Sequence, residues 1–354
     1  MSGYRLAAAD TYVQSTLPQP APHAHAMQWC IVVADDHGPE WAPPMGLSEP
    51  AAPVQYCGLG ASRTLLQKAL SRALELAPAS NILVTAMQGF RSHWEPSVWF
   101  VRPEHRFVSD KRPSSSLAAA AAVLSIASRS PSDVVTIMPA RCFVAHEAVL
   151  REGLARAVAM LPCASEGVVT VGMVDLDEGV DEHYLIVGRN GTGVGLSVHG
   201  YARQPVPWIA RYLRQQGAVV GSGILVGYAG VFAAHISKHW PGLTQKLASV
   251  IASAAAAGVE TRMPARLSRS MPNTVMRALR WHAPSLPQRA VLVRGCGWST
   301  LNSARAVARV SEFAATGPGY DSNVLKAQTL AEECETEFQI PSATAREALR
   351  PLGP

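Results

Sequence analysis

The sequence predicts an α/β protein with a mainly parallel sheet flanked by helices, followed by an inserted portion of mixed strands. Two patterns support this prediction. Up to about residue 175, short apolar runs rich in β-branched residues alternate with segments whose apolar residues recur at helical spacing. Beyond residue 175, short strand-like runs are separated by glycines. With 354 residues, of which 48% are hydrophobic and 16% charged, the chain is long enough to bury a large core.

The first half contains four predicted strands and three predicted helices. The strands are Trp29–Ala34, Asn81–Thr85, Asp133–Met138 and Gly167–Met173, and the helices are Leu65–Leu76, Leu117–Ser128 and about Glu147–Leu161. Pro78 ends the first helix, and the serines at 114–116 are suitable N-caps for the second. Strands that alternate with helices of this length form βαβ units, so we expect a Rossmann-like sheet.

The second half is predicted to be more irregular. Its strands are Tyr184–Val187, Gly195–Tyr201, Gly223–Val226 and Ala290–Val293, and its helices are about Trp208–Gln216, His235–Lys238 and Leu243–Ala257. We therefore divide the chain into a leader (1–27), one domain (28–310) and a C-terminal helical tail (311–354).

Charge and cysteine content exclude several classes of protein. The net charge is +5 and the pI is near 9.0, but no Lys/Arg run exceeds two residues, so we expect no nucleic-acid partner. The six cysteines are far apart and lack metal-ligand spacing, which indicates reduced, mostly buried thiols. No stretch is apolar over enough residues to cross a membrane. We expect a cytoplasmic protein without a membrane partner.

A series of short fragments, in order along the chain, resembles the sugar nucleotidyltransferase family, and most closely the mannose-1-phosphate guanylyltransferases. Gly297–Ser303 resembles the family's G-W-S-D-x-G-S-W segment, and Arg63–Ala69 resembles its R-S-L-L-Q-x-T segment. The other fragments are Asp133–Ala140, Val168–Gly172, Gly221–Ile224, His239–Pro241 and Thr274–Met276. The resemblance implies the nucleotide-diphospho-sugar transferase fold. It also implies transfer of a nucleotide to a sugar 1-phosphate, with Mg²⁺ and release of pyrophosphate.

The residues that would hold the triphosphate differ from the family's pattern. Two glycines of the phosphate loop fall on Asp35 and Asp36, the loop continues through Gly38, and its arginine falls on Glu40. Aspartate adds a Cβ and a negative charge where the backbone would have to approach phosphate. The family's P-K-Q lysine falls on Val54, which carries no charge. We expect that this loop does not bind a triphosphate in the family's way.

The metal and sugar positions are also replaced. The acidic positions that the resemblance assigns to Mg²⁺ fall on Arg141, Thr300 and Pro272, so the implied cofactor has lost its ligands. The family's N-S-G begins with Gly221 here, and the lysine of its E-K-P falls on Gln204. We therefore assign no catalytic residue and no metal ligand. Asp35, Asp36, Gly38, Glu40, Val54, Arg141, Gly221, Gln204 and Thr300 are predicted to line an altered cleft.

Three local features have two interpretations each. For Asp35 and Asp36 the two interpretations are a new metal pair and a solvated loop, and we expect the loop. Ser62 and Arg63 bind an anion at the start of a helix or, as we expect, cap that helix. The glycine-rich stretch 188–193 is a phosphate loop or, as we expect, a hairpin turn.

Three functions follow from this combination of a retained pattern and replaced chemistry. The first is a catalytically inactive relative that binds a nucleotide or sugar nucleotide and acts as a regulatory partner, paired with itself in a homo-oligomer or with an active paralogue. The second is an active nucleotidyltransferase with a changed substrate or active site, in which Arg141, Arg112 or the Asp35/Asp36 pair takes a new role. The third is a structural partner whose cleft is filled.

Overall fold

A computed structural model describes the parts of the chain that build the sheet and its two helical layers. The described residues are 26–35, 40–41, 52–59, 62–110, 115–164, 166–174, 183–188, 195–264, 267, 286–301, 306–307 and 310. The predicted leader up to residue 25, the tail 311–354, Arg112, Pro272 and the stretch 189–194 lie outside them.

One half of the ten-stranded sheet is parallel. In sheet order its strands are β12 (Thr261–Met263), β5 (Arg106–Ser109), β4 (Ile82–Met87), β1 (Gln28–Val33) and β6 (Val134–Pro139). Every neighbouring pair among these five is parallel. The long strands β1, β4 and β6 are nearly continuous buried runs, as expected for strands covered on both faces. The short strands β5 and β12 were not predicted from the sequence.

The other half of the sheet is mostly antiparallel. It contains β11 (Val219–Tyr228), β8 (Val168–Met173), β13 (Gln288–Val293), β10 (Leu196–Arg203) and β9 (His183–Val187). β11 is antiparallel to β6, β8 and β9, and β10 is antiparallel to β13 and β9; only β8 and β13 are parallel. The prediction of a mainly parallel sheet is therefore corrected to a mixed one. An apolar run predicts a strand, but the direction depends on the path of the connection before it.

Two short ladders lie outside the large sheet. They pair β2 (Glu40–Trp41) with β3 (Ala52–Pro53), and β7 (Phe143–Val144) with β14 (Trp298–Ser299). The second ladder joins the chain after β6 to the chain near residue 300.

Helices cover both faces of the sheet. They are α1 (Leu65–Leu76), α2 (Arg91–Trp94), α3 (Ser115–Ala127), α4 (Glu147–Ala159), α5 (Pro207–Gln215), α6 (Ala229–His239) and α7 (Pro241–Ala257). Alternate residues of β1 divide the core: Cys30 and Val32 pack with α1 and α4, whereas Trp29 and Ile31 pack with α3, α6 and α7. The predicted short helix His235–Lys238 is the end of the longer α6.

The start of α1 corrects one prediction. Thr64 caps this helix, since its hydroxyl accepts from the Gln67 backbone and the Gln67 side chain accepts from the Thr64 backbone. Ser62 and Arg63, which we expected to cap it, precede the cap. The prediction of reduced, buried thiols is confirmed at Cys30, Cys142 and Cys296. No described helix combines the length and apolar character that a membrane span requires.

Candidate functional site

The carboxyl ends of β1, β4, β5 and β6 meet at one edge of the sheet, which we call the carboxyl edge. The ends of three of these strands are tied by backbone hydrogen bonds: Ala34 N donates to Thr85 O (3.0 Å), and Ala140 N donates to Val33 O (2.8 Å). Ligands of open α/β sheets bind outside this edge. It is also where the structure places most of the described candidate residues.

Asp35 lies at the end of β1 and is buried, with only 3% of its surface exposed. Its carboxylate accepts hydrogen bonds from the hydroxyl of Thr85 in β4 and from that of Ser109 at the end of β5, the latter at 3.3 Å. Our prediction that Asp35 is a solvated loop residue is therefore wrong, because two neighbouring strands supply the donors that allow burial. Asp36 and Gly38 lie outside the described residues.

Tyr56 and Gln55 hold the next described segment against β1. The Tyr56 hydroxyl and the Gln55 side-chain amide both donate to Ala34 O, at 2.7 Å and 3.0 Å. Burial first, and then the negative charge of Asp35, raise the pKa of Tyr56, so its hydroxyl stays protonated. We refer to Asp35, Thr85, Ser109 and Tyr56 as the Asp35 corner. The last three were not predicted from the sequence: Thr85 was the last residue of a predicted strand, but β4 continues to Met87.

Val54, at the position where the resemblance implies a lysine, has no exposed surface. It belongs to an apolar group, the Val54 cluster, formed by Val54, Leu59, Leu65, Phe143, Leu301, Val307 and Val310. The cluster joins the chain before α1 to the chain after β14. A lysine ammonium in this position would lose its hydration without gaining a partner from these side chains.

Lys68 is the basic residue that packs beside this cluster. Its ammonium lies 5.4 Å from the centre of the Phe143 ring. Burial, and then the charge of Arg72, lower the pKa of Lys68. Lys68 lies within the fragment Arg63–Ala69, but helical spacing alone does not show which side chain of that fragment faces the cleft.

The ladder between β7 and β14 brings the chain at Thr300 next to the chain that follows Arg141. Ser299 pairs with Phe143, and extending this register by one residue sets Thr300 opposite Cys142. Arg141 and Thr300 are both half-buried. We call Arg141, Cys142, Phe143 and Thr300, with the adjoining Val54 cluster, the Arg141 corner.

The Arg141 corner does not fit Mg²⁺. Mg²⁺ requires oxygen ligands, usually carboxylates, whereas the corner offers a cation and one hydroxyl at the positions concerned. Among the described residues, no group of three or more His, Cys, Asp or Glu side chains is arranged to hold a metal ion. We therefore derive no catalytic step through Mg²⁺.

Cys142 is a structural thiol of the same corner. The Arg72 guanidinium lies 3.3 Å from its sulfur and donates to both Glu147 oxygens, at 2.7 Å and 2.9 Å. Burial raises the pKa of Cys142, so the thiol remains protonated. This contact fixes the end of β6 to α1 and α4.

The fragment Gly221–Ser222–Gly223 forms an irregularity in β11. The Ser222 hydroxyl donates to Val171 O at 2.7 Å and accepts from Ile224 N at 3.0 Å, and Gly223 has a positive φ of 76°. An ideal Cβ on Gly221 would lie 3.1 Å from Leu185 Cδ2. The serine therefore has a backbone-holding role, and an asparagine at 221 would require Leu185 to move.

The two remaining candidate residues are Gln204, which lies in a turn, and Glu40, which pairs with the residue before Val54. Gln204 is exposed and adopts a positive φ of 40° in the turn between β10 and α5. Glu40 pairs with Pro53 in the ladder of β2 and β3.

No protein-family model matches this sequence, and no curated protein sequence matches it. Solved structures do share its fold. A structure described as mannose-1-phosphate geranyltransferase from Thermus thermophilus has a TM-score of 0.62 at 20% identity, over 80% of this chain and 78% of that one. A structure described as mannose-6-phosphate isomerase from Helicobacter pylori has a TM-score of 0.55 at 14% identity, over 78% of this chain and 100% of that one.

These likenesses establish the architecture. The chain has a mixed α/β fold, which it shares with these two solved structures. At such low identity the chemistry of the site has to be argued from the residues of this chain.

Proposed function

We propose that this chain is a nucleotidyltransferase-fold protein that has lost Mg²⁺-dependent nucleotidyl transfer and instead binds a nucleotide or sugar nucleotide as a regulatory partner. The observation that carries the proposal is the Arg141 corner. The register of the β7–β14 ladder sets Thr300 opposite Cys142, the residue after Arg141, so a cation and a hydroxyl stand where the resemblance implies carboxylates.

The charge of Arg141 favours a phosphorylated ligand over a metal ion. A guanidinium binds phosphate oxygens in a bidentate fashion. Two unit charges about 4 Å apart interact by roughly 1 to 4 kcal/mol at the dielectrics of a protein surface, and here the sign is attractive for phosphate and repulsive for Mg²⁺. The partner that such a protein would regulate is an active paralogue, or another copy of itself in a homo-oligomer.

The Val54 cluster supports the loss of catalysis independently. Transfer of a nucleotide needs positive charge around the reacting phosphate. The position that the resemblance assigns to lysine is fully buried among aliphatic and aromatic side chains. Lys68 lies nearby, but its charge faces the ring of Phe143.

An altered but active nucleotidyltransferase is the second candidate, and the Asp35 corner favours it. A buried carboxylate at the carboxyl edge, held by two hydroxyls, is an arrangement that active sites also use. In this alternative Asp35 would interact with the nucleotide or with an incoming cation.

Pyrophosphate release and calorimetry together distinguish the two candidates. In one assay, the purified protein is incubated with Mg²⁺, GTP and mannose 1-phosphate, and pyrophosphate release is measured. In a separate sample without Mg²⁺, the protein is titrated with GDP-mannose in a calorimeter. We expect no pyrophosphate release above the blank, and saturable GDP-mannose binding that Arg141→Ala weakens about tenfold or more. Arg151→Ala is the matched control, because Arg151 is an exposed arginine of α4 paired with Glu75.

Two results would contradict the proposal. Pyrophosphate release at roughly 1 per second or faster is an ordinary enzyme rate and would establish the active alternative. Absence of binding by GDP-mannose, GTP and mannose 1-phosphate would remove the ligand-binding role and favour a structural partner with a filled cleft.

A further inference from the structure

Two histidines of α6 lie one helical turn apart with their rings in contact. The ring centres of His235 and His239 are 4.6 Å apart, and the ring planes are inclined by 56°. Side chains four residues apart on a helix extend from the same face, one above the other. α6 belongs to the helical layer with α3 and α7, on the opposite face of the sheet from α1 and α4. This His235/His239 pair is therefore separate from the Arg141 corner, which is fixed to α1 and α4.

The spacing of the two rings suits two imidazoles that bind one metal ion. A histidine nitrogen binds a transition metal ion at about 2.0–2.1 Å, which places the ring centre about 3.2 Å from the ion. Two rings that bind one ion at an angle of about 90° to 109° then have centres roughly 4.5 to 5.2 Å apart. The observed 4.6 Å lies within this range. The pair therefore has the spacing of a chelate before any ion is bound.

His235 offers a buried nitrogen to such an ion. The residue is only 6% exposed, and its Nε2 has no hydrogen-bond partner among the described residues. A buried polar atom without a partner indicates that a ligand or a water completes its surroundings. Burial first, and then the charges of His239 and Lys238, lower the pKa of His235 to about 4, so the ring is neutral at pH 7. The neutral imidazole is the form that binds metal, so no proton has to be displaced from this ring.

His239 gives the pair access to solvent. It is exposed and is the last residue of α6. An ion can therefore approach from the side of His239, with water molecules as its remaining ligands. The C-terminal end of a helix carries partial negative charge, which favours a bound cation. Lys238, which is also exposed in the last turn, opposes a cation by like charge. The two imidazoles must therefore supply most of the affinity.

We propose that the His235/His239 pair binds a divalent transition metal ion of the class that favours imidazole nitrogen, which includes Cu²⁺, Ni²⁺ and Zn²⁺. The site has two protein ligands, consistent with the absence among the described residues of three or more His, Cys, Asp or Glu side chains arranged around one ion. Mg²⁺ prefers oxygen ligands and does not suit this pair. A bound ion links His235 to His239 and holds the last turn of α6 in its helical conformation.

Trp240 can report binding at this pair, because its ring centre lies 5.6 Å from that of His239 and 6.4 Å from that of His235. Cu²⁺ quenches the fluorescence of nearby indole rings. The full chain, without a polyhistidine tag, is titrated with Cu²⁺ alone at pH 7. We expect saturable quenching that Trp240→Phe removes, that a large excess of Zn²⁺ competes away, and that excess Mg²⁺ leaves unchanged.

Removal of the exposed ligand is the sharper test. In His239→Ala the Kd for Cu²⁺ should rise about tenfold or more, because the chelate is lost, and folding should tolerate a change at an exposed position. His199→Ala is the matched control, since His199 is an exposed histidine of β10, and the Kd should change less than about twofold. Lys238→Gln removes the opposing charge and should lower the Kd about twofold or more.

Thermal unfolding gives a second measurement. Zn²⁺ should raise the Tm of the wild-type protein more than that of His239→Ala, because the ion binds the folded arrangement of the pair. Four outcomes would overturn the proposal: no saturable quenching, quenching that persists in Trp240→Phe, equal Kd values for the wild type and His239→Ala, or equal weakening by His239→Ala and His199→Ala. None of these results bears on nucleotide binding at the carboxyl edge, which is measured without metal ions.

Discussion

The Asp35 corner and the Arg141 corner lie at the same edge of one sheet but carry opposite charges in different surroundings. At the Asp35 corner, an acid stands where the resemblance implies glycine, and hydroxyls from two neighbouring strands accommodate it. At the Arg141 corner, a cation and a hydroxyl stand where it implies carboxylates, next to the apolar Val54 cluster.

The two corners differ in how their charged side chains are surrounded. Asp35 is part of the hydrogen-bonded core, so substitution of Asp35 should mainly lower the free energy of unfolding. Arg141 is half-buried at the edge, so substitution of Arg141 should mainly lower the affinity for the ligand. Substitutions that reverse each change therefore test whether stability and binding are divided in this way.

Val54→Lys should have the largest effect. Placing an ammonium in a fully buried apolar cluster should lower the free energy of unfolding by about 3 to 5 kcal/mol, measured by urea denaturation. Leu74→Lys is the control, because it makes the same change at an exposed position of α1 and should cost less than about 0.5 kcal/mol. A loss below about 1 kcal/mol for Val54→Lys would show that the cluster is open to water.

Asp35→Ala should come next. It removes the acceptor of the Thr85 and Ser109 hydroxyls and should cost about 2 kcal/mol of unfolding free energy. Asp35→Asn keeps an oxygen acceptor and should cost less than the alanine variant. If both variants unfold at the wild-type urea concentration, Asp35 is not part of the hydrogen-bonded core.

Gly221→Asn should cost about 1 kcal/mol, because the new Cβ would press against Leu185. Combination with Leu185→Ala should reduce this cost, and a double-mutant cycle measures the coupling. Strictly additive effects of the two substitutions would indicate that the strand accommodates asparagine by another route.

The smallest effect is expected from Mg²⁺. Adding Mg²⁺ should leave the Tm of the wild-type protein unchanged, since Arg141 opposes a cation at this corner. The double variant Arg141→Asp with Thr300→Asp should show a Tm that rises with Mg²⁺ concentration. A Mg²⁺-dependent rise in the wild-type protein would contradict the assignment of the Arg141 corner.

Much of the fold was predictable because its elements have strong periodic patterns. Leu65–Leu76 is a helix with the predicted bounds, and the buried β-branched runs of β1, β4, β6 and β8 were all recognised. The short strands β5 and β12 were missed because four and three residues give almost no period to detect.

The candidate site was less predictable. Val54 does share one apolar cluster with Phe143 and Leu301, which stand near Arg141 and Thr300 in the chain. Thr85, Ser109 and Lys68 were not singled out, because their roles depend on neighbours far along the chain.

By itself, the sequence determined which segments form buried strands and amphipathic helices, and it predicted, through the resemblance, that the phosphate and metal positions are replaced. Those features depend on local periodicity and residue chemistry. The tertiary structure alone decided that β11 runs antiparallel and that Asp35 is buried. Each of these depends on which distant segments become neighbours, and burial and electrostatic environment are set by those neighbours.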